Sequence, residues 1–221
     1  MNIQLVYIIY KDGASENPGL NVSSDTDLCA DIELTYLTEE QLNEHLQNDI
    51  LSFRKDIVFD KKNEKDRLRS IAASYALKQA LLNAGITAAE DKIRYNEKGK
   101  LFIDGCYVNL SHSGDMAVCV FDENECGVDL ERISRFMKMT DKEGMIKRIL
   151  SEGEIKYYEG LSRDDKAVYL CEKWTAKESY VKMTGEGIAE INNDIPGDVI
   201  INSVRISGEY IMSTCARRIY V

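Results

Sequence analysis

The chain has 221 residues, of which 44% are hydrophobic and 30% charged, so its composition is that of a globular protein. Acidic residues outnumber Lys and Arg by 38 to 28, and the formal net charge of −10 argues against general binding to nucleic acid or to an anionic membrane. An anionic ligand therefore needs a local cluster of positive charge. We predict no nucleic-acid partner and no membrane partner.

The sequence also carries signals about its cellular compartment. No apolar run approaches the roughly 18 residues that a membrane-spanning helix needs, and "MNIQLVYIIYKDG" predicts a strand rather than a signal peptide. We therefore expect a cytoplasmic protein. The cysteines form no CxxC pair and several lie in apolar runs, which indicates reduced core thiols rather than metal ligands. They are Cys29, Cys106, Cys119, Cys126, Cys171 and Cys215.

The first half of the chain alternates strand and helix patterns. Residues 3–10 predict a strand, and Thr38 is placed to cap a short helix in "TEEQLNEHL". Apolar residues recur at helical spacing across residues 63–85, where Gly85 is placed to end a longer helix. Its N-terminal half is rich in basic residues, and short strands are expected after it.

The second half loosely repeats this order of strand and helix patterns. Residues 115–121 and 126–133 predict two strands of a hairpin around the turn "DENE", followed by one or two helices in 140–162. A long helix is expected over 164–184, and strands close the chain. Two similar halves predict an α+β fold with a pseudo-twofold duplication, each half a small, mostly antiparallel sheet with one long helix. The predicted subdomains are residues 1–110 and 111–221.

The segment "CGVDLERI" is the first with candidate chemistry. Alternation on a strand places Asp129 and Glu131 on one face, opposite an apolar set formed by Cys126, Val128 and Leu130. Gly127, on the same face as the acids, is interpreted as leaving space for a ligand. A solvated strand face is the alternative. Two carboxylates on a rigid strand also suit a hard cation such as Mg²⁺.

The segment "EKWTAKESYVKMTG", residues 172–185, adds a third carboxylate. Glu178 and Lys182 are four residues apart and share a helix face, with Trp174 one turn earlier. A surface ion pair and a core tryptophan are the alternatives. Combined with the acidic strand, the same residues supply a further metal ligand and an ammonium for a phosphate.

The segment "NLSHSGD", residues 109–115, precedes the acidic strand. His112, Ser111 and Ser113 can offer an imidazole, hydroxyls and backbone N–H groups to an anion. A structural or solvated loop histidine is the alternative. No GxSxG sequence surrounds the serines, which argues against a nucleophile elbow.

Taken together, "NLSHSGD", "GVDLE" and "WTAKESYVKMTGEG" resemble the motifs of 4′-phosphopantetheinyl transferases of the large, monomeric, surfactin-type class. The resemblance spans residues 109–187. It implies transfer of phosphopantetheine from coenzyme A to a serine of an apo acyl or peptidyl carrier protein, with release of adenosine 3′,5′-bisphosphate. It also implies a monomer with coenzyme A in the cleft between two halves, and it leaves open which biosynthetic pathway the carrier serves.

The resemblance assigns roles to residues of the second half. Asp129, Glu131 and Glu178 are implied to hold Mg²⁺, with Mn²⁺ as a possible substitute, while Lys182 and His112 bind the pyrophosphate. Ser111 and Lys177 are candidates to assist, and Lys177 ranks lower because it lies about 100° around the helix from Glu178. Glu178, directly or through a metal-bound water, is the candidate base, so Glu178, Lys182 and His112 form the predicted catalytic set.

The first half matches the family less well. "NEKGKL" resembles a turn that holds the nucleotide end of coenzyme A, which maps Gly99 and Lys100 while a leucine replaces the family's proline. Arg69 aligns with a basic position that meets the 3′-phosphate, with Arg54 or Lys55 as additions. A solvated basic helix face is the alternative.

A methionine-rich segment follows the acidic strand. "SRFMKMTDKEGMIKRIL", residues 134–150, combines several cations with Phe136, Met137, Met139 and Met145, and we predict that the carrier docks there. The alternative is that these side chains pack inward. Two rival functions remain: an Mg²⁺-dependent phosphohydrolase acting on coenzyme A-like nucleotides, and a catalytically silent nucleotide-binding or adaptor protein.

Overall fold

The computed structural model describes residues 1–10, 22–23, 32–86, 93–97, 100–103, 105–186 and 195–217. The strands in these ranges are β1 (Asn2–Ile9), β2 (Val22–Ser23), β3 (Ile32–Thr38), β4 (Ile93–Tyr95), β5 (Leu101–Ile103), β6 (Cys106–Ser113), β7 (Met116–Asp122), β8 (Cys126–Arg132), β9 (Val199–Ile206) and β10 (Tyr210–Arg217). The helices are α1 (Glu39–Asn48), α2 (Ser52–Phe59), α3 (Glu64–Asn83), α4 (Ile133–Phe136), α5 (Glu143–Ile149), α6 (Glu152–Glu159) and α7 (Arg163–Thr184).

The strands form two sheets. The larger has the order β3-β1-β7-β6-β5-β4, in which only β1 and β3 run parallel, and the smaller has the order β2-β9-β10-β8, all antiparallel. The predicted α+β class is confirmed. Helix α3 packs against the larger sheet and α7 against the smaller, so each sheet carries one long helix. The pseudo-twofold duplication itself stays a prediction.

The core lies in layers between these elements. Alternate residues of β1 and β7 point either toward α3 or toward the smaller sheet, which is the pattern of a sheet buried on both faces. Ile3 and Val118 of the larger sheet pack against Leu130 and Met212 of the smaller one. The resulting order of layers is α3, larger sheet, smaller sheet, α7.

Local sequence signals explain the helices that the pattern predicted. Thr38 and Gln41 form a capping box at the start of α1, and Asn63 accepts hydrogen bonds at the start of α3. At the start of α7, Ser162 accepts from the N–H of Asp165. Helix α2 was not predicted, since Leu51 at its start makes no side-chain cap. None of the helices in the described ranges is long and apolar enough to cross a membrane.

The predicted hairpin of residues 115–133 is wrong. Strand β7 pairs with β1 and β6 in the larger sheet, while β8 pairs with β10 in the smaller one. The chain crosses between layers at the "DENE" turn, and both strands are therefore buried along almost their whole length. Alternation predicted which face of each strand is apolar, but it does not determine the strand's partner.

The larger sheet extends past the predicted division at residues 110 and 111. Strand β6 runs through that point, and β7 beyond it lies in the middle of the larger sheet. The division into subdomains 1–110 and 111–221 therefore stays a prediction.

The cysteines of the described residues are free and buried, as predicted. Burial raises the pKa of the thiols of Cys126 and Cys215 to about 12, so both are protonated at neutral pH. The thiols of Cys119 and Cys171 are shifted in the same direction by burial. Cys29 lies outside the described residues.

Gly127 has a packing role that differs from the predicted one. A Cβ at this position would collide with the carbonyl oxygen of Ser179 and would lie 2.7 Å from the backbone nitrogen of Met183. The space in front of Gly127 is therefore occupied by the backbone of α7 rather than kept for a ligand. Gly127 allows the helix to approach the strand closely.

We expect Gly127→Ala to destabilise the protein by about 1–3 kcal/mol or more, because helix backbone cannot yield as a flexible side chain does. Gly153→Ala is the matched control, since a Cβ there meets nothing within 4 Å and alanine favours the helix by about 0.5–1 kcal/mol. Urea unfolding of both variants measures the difference. Equal midpoints for the two would contradict the close contact.

Candidate functional site

The site is built on a row of hydrogen bonds between β6 and β8. Strand β8 is the edge of the smaller sheet, so alternate backbone N–H groups on its outer side have no strand partner. Side chains of β6 accept from them at spacings of two residues. The pairs are Val128 N to Asn109 Oδ1 (3.2 Å), Leu130 N to Ser111 Oγ (3.2 Å) and Arg132 N to Ser113 Oγ (3.1 Å). We call this row the β6–β8 seam.

Both serines of the seam also hold a carboxylate. Ser111 donates to Asp129 Oδ1 at 2.8 Å, and Ser113 donates to Glu131 Oε2 at 2.7 Å. Each hydroxyl thus accepts from one β8 N–H and donates to the preceding acidic side chain. The seam fixes the orientation of both carboxylates.

Helix α7 brings the third carboxylate and the predicted ammonium to the seam. Lys182 Nζ donates to Asp129 Oδ1 at 2.7 Å and to Ser111 Oγ at 3.0 Å. Glu178 lies one turn earlier on the same helix. Trp174 is only 7% exposed and packs in the core under α7, which is the core position named above as the alternative for this residue.

The three carboxylates crowd one another. Burial raises the pKa of Glu178, and the negative charge of Asp129 raises it further. Burial likewise raises the pKa of Glu131, with Asp129 adding to the rise and the Ser113 hydrogen bond opposing it. Asp129 Oδ2 and Glu178 Oε2 are buried without a hydrogen-bond partner. Such orphaned oxygens in a negative site need a cation or a proton.

The chemistry of this donor set fits a hard cation. Three carboxylates, two of them with an unpartnered buried oxygen, are ligands of the type that Mg²⁺ takes in proteins. Lys182 and Arg135 supply the positive charge here, and Arg135 pairs with Glu131. Within the described ranges, no group of three or more His, Cys, Asp or Glu side chains is arranged as a metal site. The carboxylates therefore suit Mg²⁺ by the chemistry of their oxygen atoms, and not by an arrangement already set for coordination.

Positive charges, including those of Lys182 and Arg69, act on His112. His112 is exposed on β6, and partial desolvation of its ring together with the charges of Lys182 and Arg69 lowers the pKa of its imidazole. Arg69 Nε donates to the carbonyl oxygen of Gly114 at 2.5 Å, and its Nη1 pairs with Asp66. Arg69 and His112 therefore lie near the same turn, as a shared phosphate site requires.

Three further predicted residues belong to the proposed nucleotide end of the site. Arg54 is buried, and its Nε donates to Ser74 Oγ at 3.0 Å, which argues against a surface contact with phosphate. Lys55, its neighbour on α2, is exposed. Gly99 lies outside the described residues.

The two remaining lysines lie at α7. Lys100 is 8% exposed and donates to the carbonyl oxygen of Met183, so its ammonium is engaged inside the protein. Lys177 is half-buried on α7 next to Glu178. Of Lys100, Lys177 and Lys182, Lys182 is the one whose ammonium contacts Asp129.

Sequence reasoning missed some features of the site. Ser113 was expected to face an anion and Asn109 was given no role, yet both share the seam with Ser111; the alternation N-x-S-x-S along one strand face was a signal that could have grouped them. Arg135, four residues after Glu131, was read only as one of several cations of the docking segment. Its ion pair with Glu131 links that segment to the carboxylates.

A basic cleft of about 590 Å³ opens beside Glu131. It is lined by Ser113, Gly114, Arg132, Ser134, Arg135, Lys138, Met139 and Lys142. Phe136 of the predicted docking set is 1% exposed, because its ring packs in the core under α4 and α7, so it offers no surface to a partner. Met137, Met139 and Met145 are half-buried against that core and keep some exposed surface.

We expect Glu178→Gln to stabilise the protein at neutral pH by about 0.5–2 kcal/mol, because it removes a crowded charge from a strained site. A raised carboxyl pKa contributes stability below the ordinary glutamate pKa that is lost as pH rises through the folded-state pKa. The gain from Glu178→Gln should therefore grow with pH. Urea unfolding at about pH 4.5 and about pH 8 measures it.

Glu143→Gln is the control for this pH series. Its exposed carboxyl pairs with Lys147, which lowers the pKa, so its loss should cost a little stability at neutral pH. A gain for Glu178→Gln that did not change with pH would contradict the assignment.

Comparison with known proteins agrees with this site. The sequence profile of the 4′-phosphopantetheinyl transferase superfamily matches residues 125–207, which include Asp129, Glu131, Glu178 and Lys182. The chain is 30% identical over 129 residues to the 4′-phosphopantetheinyl transferase gsp of Aneurinibacillus migulanus, covering 57% of this chain and 52% of gsp. It is 30% identical over 131 residues to the 4′-phosphopantetheinyl transferase HetI of Nostoc sp., covering 56% and 51%.

The chain thus spans about half the length of these two relatives. A shorter relative is covered more fully: the holo-[acyl-carrier-protein] synthase of Streptococcus pyogenes serotype M12 is 30% identical over 95 residues, which make up 80% of its length. On this similarity and on the match to the superfamily profile, the chain belongs to the 4′-phosphopantetheinyl transferase superfamily.

Proposed function

We propose that the protein transfers the 4′-phosphopantetheine group of coenzyme A to a serine of an apo acyl or peptidyl carrier protein. The observation that carries the proposal is the position of Lys182. Its ammonium contacts Asp129 of the carboxylate cluster, and its charge also acts on His112, so one residue links the proposed cation ligands to the proposed pyrophosphate ligand. The names of the relatives point to the same reaction.

Asp129, Glu131 and Glu178 would hold Mg²⁺, with Mn²⁺ as a substitute, and the ion would supply positive charge to the pyrophosphate. The support is the negative crowding of these carboxylates and the two buried oxygens that lack partners. Ser111 and Ser113 hold the first two carboxylates in place.

In the proposed step, the hydroxyl oxygen of the carrier serine attacks the β-phosphorus of coenzyme A. The bond from that phosphorus to the bridging oxygen breaks, and adenosine 3′,5′-bisphosphate leaves with the bridging oxygen. Lys182 and His112 stabilise the charge that develops on the phosphate oxygens. Glu178, directly or through a water, takes the serine proton.

The basic cleft is the proposed docking surface for the carrier. Arg132, Arg135, Lys138 and Lys142 line it beside Met139, so an acidic carrier would meet positive charge although the whole chain has a net charge of −10. Because Ser113 and Arg135 line the cleft and both contact Glu131, a serine delivered there arrives next to the carboxylates.

The proposed function is tested by mixing the protein with an apo carrier, coenzyme A and Mg²⁺ and weighing the carrier by intact mass spectrometry. We expect a gain of one phosphopantetheine that is lost with EDTA. Asp129→Asn should slow transfer by about 100-fold or more, since it removes a charge from the donor set. Asp198→Asn, at an exposed ion pair with Arg217, should not slow it. Release of nucleotide without any carrier would favour a phosphohydrolase.

We expect Met137→Glu combined with Met139→Glu to raise the carrier KM about tenfold, because the change places negative charge beside the basic cleft. The values of kcat and of the KM for coenzyme A should stay within about twofold. Leu82→Glu is the matched control: Leu82 is 46% exposed, but it lies on α3. An unchanged carrier KM in the double variant would place the docking surface elsewhere.

A further inference from the structure

The last turn of α7 is held by side chains from the larger sheet. Carbonyl groups in the last turn of a helix have no partner within the helix and need other donors. The N–H of Gly185 reaches the carbonyl oxygen of Val181 at 2.9 Å. Asn109 Nδ2 donates to the carbonyl oxygen of Lys182 at 3.3 Å, and Lys100 Nζ donates to that of Met183.

We infer that Lys100 is a positioning residue that fixes the end of α7, rather than a ligand of the nucleotide. The inference rests on the proposed function for its kinetic part only. Lys100 supplies both a donor and a positive charge to the C-terminal end of the helix. A cation at that end interacts favourably with the helix dipole, most strongly when it is partly buried.

The surroundings of Lys100 match this role. Its Nζ lies 5.3 Å from the centre of the Phe102 ring, and the side chain is 8% exposed. Burial lowers the pKa of the ammonium, which is the direction expected away from solvent. To bind a phosphate, Lys100 would have to leave the Met183 carbonyl and the buried position it occupies.

The turn that contains Asn96 and Lys100 packs closely against the C-terminal end of α7. The N–H of Lys100 donates to Asn96 Oδ1 at 2.8 Å, and the N–H of Asn96 donates to the Lys100 carbonyl at 3.0 Å. Gly185 ends the helix with a φ of +73°, and a Cβ there would lie 3.0 Å from Asn96 Nδ2 and 3.0 Å from Lys100 Cδ. These segments therefore pack tightly against each other, as a positional contact requires.

This contact matters because the site is assembled from two elements. Asp129 lies on β8, which the seam holds against β6, while Glu178 and Lys182 lie on α7. Lys100 and Asn109 fix the end of α7 to the larger sheet, which contains β6. Both parts of the site are thus positioned by the same sheet, and the loss of Lys100 releases only α7.

Lys100→Met tests the inference because it keeps an apolar stem and removes the ammonium. We expect kcat for carrier modification to fall about tenfold or more, because the Lys182 and Glu178 side chains lose their fixed position. The ratio of Kd values for 3′-dephospho-coenzyme A and coenzyme A should not change, because Lys182 and Glu178 are proposed to act at the pyrophosphate and not at the 3′-phosphate. Lys78→Met, which breaks a surface pair with Asp49, is the matched control.

Hydrogen exchange supplies a readout that needs no transfer activity. In Lys100→Met, amides of the last turn of α7 should exchange faster while those of α3 stay as in the wild type, which separates local release from global destabilisation. If the wild type modifies no carrier, the proposed function fails, but this measurement still tests the anchoring.

Other results would overturn the inference. A raised Kd for coenzyme A with unchanged kcat, or a loss of discrimination against 3′-dephospho-coenzyme A, would make Lys100 a nucleotide ligand. Unchanged exchange at the end of α7 would remove its anchoring role. If Lys100→Met does not fold, Lys100→Gln also removes the charge, and it must show the same fall in kcat with an unchanged ratio of the two Kd values.

Discussion

Strand β8 is the edge of a sheet, and satisfying its free N–H groups is the constraint from which the site follows. A buried N–H without a partner costs about 1–3 kcal/mol, so three of them in a row need acceptors. Asn109, Ser111 and Ser113 provide these acceptors from a strand of the other sheet. A hydroxyl can accept and donate at once, so the two serines also reach Asp129 and Glu131. The hydrogen bonds that join the sheets are thus the ones that orient the carboxylates.

The charge distribution of the site is unfavourable for the folded chain alone. Glu131 and Glu178 are shifted toward the protonated form by burial and by Asp129, and two carboxylate oxygens lack partners. A protein tolerates such crowding where the charge serves a ligand, and the rest of the fold stabilises it. The cations are local as well: Lys182 and Arg69 act on His112, and four basic residues line the cleft, within a chain whose net charge is −10.

Features that depend on local chemistry could be predicted from the sequence. Thr38 predicted the start of α1, and the spacing of apolar residues predicted α3 and α7. Alternation predicted the apolar face of β8 correctly. Features that depend on distant partners could not. Nothing in the "DENE" turn shows that its strands enter different sheets, since a tight polar turn fits a hairpin equally well.

The same limit applies to individual residues of the site. A lysine in a turn and an arginine on a helix both suggest phosphate contacts, yet Lys100 and Arg54 are buried against elements far away in sequence. Gly127 suggested room for a ligand because the sequence does not show that α7 lies over it. That β8 and α7 meet, as the contact between Asp129 and Lys182 shows, followed from the family resemblance and not from the pattern of residues.

The pairing of β1 also bears on how the chain reaches this fold. Asn2 lies opposite Phe121, so the first strand meets its antiparallel neighbour only after more than half of the chain has been synthesised. Contacts this distant in sequence slow folding, because a long loop must close before the contact stabilises anything. During synthesis β1 has only the parallel strand β3 as a partner, and its other edge stays open until β7 arrives. A chain cut after residue 110 would keep that open edge permanently, and it would be prone to pair with other chains.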